Sequence, residues 1–485
     1  MYEKALSPAS VFQCFAQVNQ IPRPSKHEEK MIDFLLDFGR RLGLETERDE
    51  TGNVIIRKPA TSGMEDRRTI VLQSHMDMVC EKNKDVEFDF MRDAIQTCVD
   101  GDWLKARGTT LGADDGIGVA MEMALLEATD IPHGPLECVF TRDEETGLTG
   151  AEGMQSDFMK GRLLINLDSE DEGQIFVSCA GGCRTTAQFA YTEELLPAGY
   201  FTFSLSVKGL TGGHSGDDID KKRANANKIL ARFLYMAQQK FDLRLLDIQA
   251  GGLHNAIPRE AWCLCAIPSK DKEGITVLWN LFQADVETEY RITEPGIEFC
   301  LESETPATIA IDKDCSRRLI KALQAVHNGI LSMCQDLNMV ETSSNLASIR
   351  KHPETQTINI ISSQRSSIYS ARVNMASTFA AVFELAGAKV ETGEGYPGWE
   401  MNPNSEILRI AVEQYRQLFG KEPIVRGIHA GLECGLFSEK FAGMDMISVG
   451  PTLRGVHSPD EKLLIPTVQM VWDHVLAILR NAPRR

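Results

Sequence analysis

Histidine and carboxylate side chains recur where apolar, strand-like runs of this sequence end. His75 and Asp77 follow the run at 69–74. Residues two apart on a strand share a face, so both can project from its carboxyl end, where open α/β sheets bind ligands. An imidazole can bind a metal through one nitrogen while a carboxylate takes the proton of the other and fixes the ring. The next junction reads Gly112-Ala-Asp114-Asp115-Gly116-Ile-Gly118. Its glycines allow a tight turn that can hold adjacent carboxylates over a sheet edge, although the same residues also suit a capped helix start. It lacks both Gly-Lys-Ser/Thr and Gly-x-Gly-x-x-Gly, so a nucleotide-phosphate loop is excluded. Glu144 and Glu145 follow the run at 136–141, and Asp168 ends the next at 163–167. Neighbouring glutamates point in different directions, so one can ligate a metal while the other stays free as a base. His457 precedes Ser458-Pro459-Asp460-Glu461, which reads as a capping box with Pro at the first helical position, holding the imidazole at a rigid helix entrance. Each segment alone reads as a solvated loop or a helix cap. Their recurrence at successive strand ends points to a metal with a free base beside it.

The elements that must position these groups follow an α/β rhythm. Strand-like runs at 69–74, 136–141 and 163–167 alternate with a helical pattern at 119–126, preceded by a helix at 28–42 and a strand at 53–57. At Cys179-Ala-Gly-Gly-Cys183 the pattern changes, and Phe201, Phe203, Leu205 and Val207 alternate as in a sheet buried on one face. Helices are predicted at 224–236 and 317–334, and a strand at 357–361. The turn-rich Gly393-Glu-Gly-Tyr-Pro-Gly398 then leads back to α/β style, with a helix at 406–418, a strand at 444–449 and a helix at 459–479. The expected architecture is an α/β catalytic domain with a mixed, largely parallel sheet, residues 1–182 and 398–485. An α+β domain, residues 183–397, is inserted in it.

Composition narrows the function classes. With 485 residues, 43% of them hydrophobic, the chain can bury a sizeable core. Its 69 acidic against 51 basic residues give a net charge of -18, which repels nucleic acid and anionic membranes. Neither is an expected partner. No run of about 18 apolar residues suggests a membrane span, and the opening residues lack the pattern of a signal peptide. The 12 cysteines include no Cys-x-x-Cys pair; Cys263 and Cys265 would face the same side of a strand. Reduced, buried cysteines and a cytoplasmic location are expected.

His75-Met-Asp77, Gly-Ala-Asp114-Asp115-Gly, Glu144-Glu145, Asp168 and His457, in this order, resemble the metal site of the M20 metallopeptidase family. The likeness continues through the segment from Lys105 to Asp114, Gly212-Gly-His214-Ser-Gly216, His254-Asn-Ala-Ile-Pro-Arg259 and His429-Ala-Gly-Leu-Glu-Cys-Gly435. It is similar to the dipeptidase branch, where Gly116-Ile-Gly118 replaces the Lys common after the bridging Asp. The resemblance implies a zinc-peptidase-like catalytic domain with an inserted lid and dimerisation domain. It implies two zinc ions per chain, with Co2+ or Mn2+ also acceptable, bridged by Asp114 and with Asp115 as the fallback. His75 and Asp168 would complete one ion's ligands, and Glu145 and His457 the other's. Glu144 would be the general base and Asp77 the support of His75. His214 matches the histidine that stabilises the oxyanion, in family members from a partner subunit, and Asn255 is a similar candidate.

Dipeptide selection requires recognition of both chain ends. Arg365, following the strand-like 357–361, suits a substrate carboxylate. His429 and Glu433 are candidates to line the pocket, with Glu433 meeting the free amine. The expected function is hydrolysis of unblocked dipeptides, including Xaa-His, by a cytoplasmic homodimer. The alternatives are an M20-like carboxypeptidase or N-acyl-amino-acid deacylase, and a catalytically silent binding protein on the same fold.

Overall fold

The computed structural model describes residues 6–485; the first five residues of the opening segment lie outside the described residues. The chain divides into two compact units. The first runs to Ser178 and resumes at Trp399–Gly427 and Leu432–Arg485; the second is Cys179–Gly398 with Ile428–Gly431. The short second piece was not legible as part of the insert. It belongs there because the Ala180 N–H is shared by the carbonyls of Ile428 and Ala430, at 3.1 and 3.0 Å.

The first unit is built on an eight-stranded sheet. Its centre is parallel: Ile70–His75 lies between Leu136–Thr141 and Leu163–Asn166, and the latter pairs in parallel with Asp445–Ser448. All four strands are buried along their length, as expected of parallel strands covered on both faces. Val54–Lys58 and Glu45–Arg48 extend one side in antiparallel fashion, so the sheet is mixed and parallel only at its core. The parallel centre places His75, Thr141 and Asn166 together at one edge, which becomes the site. The helix Ala113–Glu127 is buried almost throughout and begins at that same edge.

The second unit carries an antiparallel sheet that includes, in order, Glu298–Ser303, Tyr200–Lys208, Ala261–Pro268, Arg244–Gly251, Val340–His352, Thr357–Ser366, Gly181–Ala190 and Lys389–Thr392. Its core joins Phe203 and Phe189 of the sheet to Phe233, Trp279, Phe282 and Phe383 of the helices. Cys263 and Cys265 are both fully buried in one strand with their Sγ atoms 3.7 Å apart, side by side as their spacing predicts.

Three local expectations are overturned. The helix predicted over 317–334 ends at Ala325, and Gly329–Met333 is instead a strand on Val340–His352. Gly329, at φ 98°, redirects the chain between them. Arg365 lies inside the strand Thr357–Ser366 rather than after it. The helix predicted from Pro459 starts only at Ile465, with Pro466 in its first turn. His457 therefore sits not at a helix entrance but in a loop, at φ 61°. The capping-box reading failed because the Glu461 carboxylate has other donors to satisfy.

Candidate metal centre

His75 ends the central strand and is 1% exposed; Asp114 opens the buried helix one junction further on. The two oxygens of Asp114 face different histidines: Oδ1 lies 3.1 Å from His75 Nε2 and Oδ2 3.2 Å from His457 Nε2. Asp168 Oδ1 is 3.4 Å from His75 Nε2, and Glu145 Oε2 is 3.0 Å from His457 Nε2. The structure thus gathers His75, Asp114, Glu145, Asp168 and His457 into two groups that share Asp114. Asp115 turns away: its carboxylate accepts from the backbone N–H of His75 at 3.3 Å and of Gly118 at 3.2 Å. Gly118 leaves room for it, since a Cβ there would meet Asp115 Oδ1 at 2.4 Å.

These residues fit a divalent-metal site. Two ligand atoms bound about 2.0–2.1 Å from one tetrahedral ion stand about 3.3 Å apart, which matches the N···O separations of both groups. His75, Asp114 and Glu145 can bring one ligand atom each within 4.8 Å of one another, and Glu145 Oε1 is buried with no hydrogen-bond partner. The charge arrangement agrees. Burial raises Glu144 well above the usual carboxylate range and Asp168 to about 7, with neighbouring carboxylates adding to both shifts. Burial also raises Glu145. Hydrogen bonds to Asp114 and Glu145 push His457 up to about 11. Such crowded buried carboxylates call for positive charge among them.

Asp77 Oδ1 stands 3.3 Å from His75 Nδ1, and the carboxylate accepts from Ser25 Oγ at 2.7 Å and from the N–H groups of Glu144 and Glu145 at 3.1 and 3.3 Å. Burial alone would raise its pKa, but hydrogen bonding and charge from His75, with these donors, hold it below its ordinary value. Asp77 therefore stands against the His75 ring and accepts from the loop carrying Glu144 and Glu145.

Two residues that the sequence reading missed fasten the ligand loops. Glu461 is 2% exposed, and its carboxylate accepts four backbone N–H groups: Leu111 and Gly112 at Oε2, 2.7 and 2.9 Å, and Ala113 and Asp114 at Oε1, 2.8 and 3.3 Å. It lies four residues after His457, so one segment carries a ligand and anchors the loop of another. Arg23, 1% exposed, donates to the carbonyls of Met76, Asp77 and Gly112 at 3.2, 2.8 and 2.5 Å. Gly112 and Gly116 make space for it, as a Cβ at either would lie 2.5 Å from Arg23 Nη2. An isolated Arg and a Glu in an apparent cap gave no signal of this.

Glu433, expected to line the substrate pocket, is wholly buried instead. Its Oε2 accepts from Gln73 Nε2 at 2.6 Å and Thr141 Oγ1 at 2.8 Å beneath the strand ends, and burial pushes it up to about 8.

The remaining candidates lie in the second unit. His214 Nδ1 accepts the Asp217 N–H at 3.1 Å, which leaves the proton of the neutral ring on Nε2. Burial and the charge of Arg365 lower it to about 4. Arg365 is 7% exposed, with Nη2 3.3 Å from His214 Nε2. His429 Nε2 lies 2.7 Å from Ser343 Oγ, and burial followed by Arg365 lowers it to about 3. Among the described residues no carboxylate forms an ion pair with Arg365, so this region is a buried cation among neutral imidazoles. Asn255 is not drawn into that group: it is exposed in a turn, where its carbonyl accepts the Ser215 N–H at 2.8 Å.

Comparison with known proteins agrees with this geometry. The chain is 41% identical over 481 residues to the cytosol non-specific dipeptidase of Escherichia coli, covering 99% of both chains. Its fold matches the crystal structure of aminoacylhistidine dipeptidase from Vibrio alginolyticus with a TM-score of 0.92 and 43% identity, over 100% of this chain and 98% of that one. Aminopeptidase PepT from Bacillus cereus shares the fold alone, with a TM-score of 0.62 and 18% identity over 98% and 99% of the two chains. Residues 71–481 match the profile of Peptidase family M20/M25/M40, and the chain belongs to that family.

Proposed function

We propose that this protein is a metal-dependent dipeptidase that hydrolyses unblocked dipeptides, including Xaa-His. The observation that carries the reading is the placement of the two Asp114 oxygens against His75 and His457, 3.1 and 3.2 Å away. The names of the two full-length relatives supply the substrate class. His75, Asp114 and Asp168 would hold one ion, and Asp114, Glu145 and His457 the other. Zinc suits this donor set, and Co2+ or Mn2+ is compatible with it. Bound there, the pair supplies Lewis acidity and a nucleophilic water at neutral pH.

The protein's own groups do the rest. Glu144, adjacent to Glu145, takes the proton of the attacking water and returns it to the leaving amine. Asp77, whose carboxylate lies 3.3 Å from His75 Nδ1, keeps the ring oriented. His214 presents an Nε2–H donor to the oxygen that gains charge in the transition state, beside the Arg365 guanidinium. Arg365 takes the substrate carboxylate, an assignment supported by its burial without an acidic partner among the described residues. His429, held neutral, lines that anion-binding region. Asn255 is kept as a weaker candidate in an exposed turn.

The inserted unit is assigned the roles of lid and dimer surface. Its helix Lys272–Tyr290 exposes Val277 and Leu281 one turn apart, and sedimentation of a Val277→Asp/Leu281→Asp variant tests the homodimer. The name of the E. coli relative favours the cytoplasm.

The test is release of histidine from Ala-His and from N-acetyl-Ala-His, each with and without a chelator. Cleavage of the free dipeptide alone, abolished by chelation and restored by Zn2+, is the expected result. Cleavage of the blocked substrate instead would assign the protein to the acyl-amino-acid hydrolases.

A further inference from the structure

The segment Gly393-Glu-Gly-Tyr-Pro-Gly398 marks, in sequence, only the end of the insert. In the structure it seats Tyr396 with unusual care. The Tyr396 N–H donates to the Gly182 carbonyl at 2.9 Å, and the Gly182 N–H returns to the Tyr396 carbonyl at 3.1 Å. Arg372 donates to both carbonyls. The ring is flanked by two glycine backbones. A Cβ at Gly182 would lie 2.7 Å from the phenol oxygen, and one at Gly431 would lie 2.8 Å from ring Cε2. Gly182 belongs to the Cys179–Cys183 motif and Gly431 to the His429–Gly435 motif, so one side chain accounts for glycines in two motifs far apart in sequence.

The phenol oxygen of Tyr396 accepts from Arg365 Nη1 at 2.7 Å, while Nη2 of the same guanidinium sits against His214. The fork is thus held from one side by a hydroxyl that adds no negative charge. An Asp or Glu in that position would neutralise the cation; a tyrosine leaves its charge available and fixes its plane. Nη1 keeps a second N–H, Nη2 keeps both because the His214 Nε2 it faces is itself protonated, and the phenol keeps its own O–H to donate. Beside them opens a cavity of about 570 Å³ whose lining includes Arg365, Tyr396, Arg184 and His254. All of these groups belong to the second unit.

We propose that Tyr396 is a positioning residue for recognition of the substrate's terminal carboxylate. It holds the Arg365 fork in the orientation that accepts a carboxylate, and so sets the preference for peptides that end at the second residue. The inference rests on the dipeptidase reading above.

The test compares Ala-His with its carboxamide, Ala-histidinamide, in the wild-type protein and in Tyr396→Phe, which removes only the hydroxyl. The expected result is a rise in KM for Ala-His on the order of 10- to 100-fold, as for loss of a hydrogen bond to a charged group, with little change in kcat. Hydrolysis of the carboxamide stays as it was. Gly182→Ala, whose methyl group would displace the phenol, should reproduce the same acid-selective loss and serves as the second variant should Tyr396→Phe not fold. If the wild type cleaves Ala-His and the variants lose acid and amide equally, or lose neither, the inference falls and the dipeptidase reading stands. If the wild type cleaves no dipeptide, both fall.

Discussion

Glu461 offers the sharpest test of how this centre is held together. Glu461→Gln preserves shape and volume but leaves one acceptor oxygen where two now serve four N–H groups. Whichever way the amide turns, its NH2 faces either the Leu111 and Gly112 pair or the Ala113 and Asp114 pair. Two buried donors are then unsatisfied, at roughly 1–3 kcal/mol each, or about 2–6 kcal/mol together. Arg23, whose buried charge Glu461 supports, loses one of its counter-charges as well. Because these N–H groups lead directly into Asp114, the loss falls on the ordered form of the ligand loop. Metal affinity should fall by at least about 30-fold, the lower bound taken at 1.4 kcal/mol per factor of ten. The assay is titration of the metal-free proteins with Zn2+ against a chromophoric chelator, alongside thermal melts without metal. Wild-type affinity in the variant would refute the reasoning. So would a lowered melting temperature with unchanged affinity, since Glu461 would then serve the fold and not Asp114.

Three further outcomes are expected. Glu144→Gln should keep its metal content and lower kcat by about 10²- to 10⁴-fold, the usual contribution of a general base; a variant that remains fast places the base elsewhere. Asp77→Asn should weaken metal binding by about 10- to 100-fold, as supports of a ligating histidine do, and metal titration checks this. The third concerns pH. His214 and His429 are lowered from 6.5 to about 4 and about 3, chiefly by burial. Below pH 6.5 the unfolded chain takes up protons that the folded unit refuses. Their contribution to stability is therefore present above that pH and is lost as pH falls toward those values. The slope is at most about 1.4 kcal/mol per pH unit for each histidine, and less for the partly exposed His214. Urea unfolding at pH 7 and 5 should show a steeper loss for the wild type than for His214→Gln/His429→Gln; equal slopes would mean that these rings are not buried as neutral groups.

Much of the fold was legible because its central strands are continuous apolar runs with sharp ends. Leu136–Thr141 forms as its pattern predicts, 69–74 is shifted by one residue from the observed strand, and 163–167 overruns its strand by one residue. The errors have separate causes. The stretch 459–464 has the local chemistry of a helix start, yet the four N–H groups at 111–114 recruit its glutamate, and this long-range demand outweighs a cap. The strand at 329–333 was hidden because a short edge strand carries too few residues to separate its period from that of the helix before it. Arg365 was legible as a carboxylate binder, but not as a buried strand residue.

The sequence by itself determined the types and order of the candidate ligands and the family they resemble. Those depend on residue identity at strand ends, and strand ends can be read locally. Residue type alone left Asp114 and Asp115 open, since adjacent carboxylates differ only in the direction the backbone gives them, and only the family resemblance favoured Asp114 over Asp115. Only the tertiary structure decided that Asp114 faces both histidines while Asp115 turns back onto the His75 and Gly118 amides. It alone assigned Arg23 and Glu461 to the ligand loops, and Tyr396 to Arg365. Their partners lie tens to hundreds of residues away, and no periodicity within a segment records which distant backbone amide or guanidinium a buried polar group will satisfy.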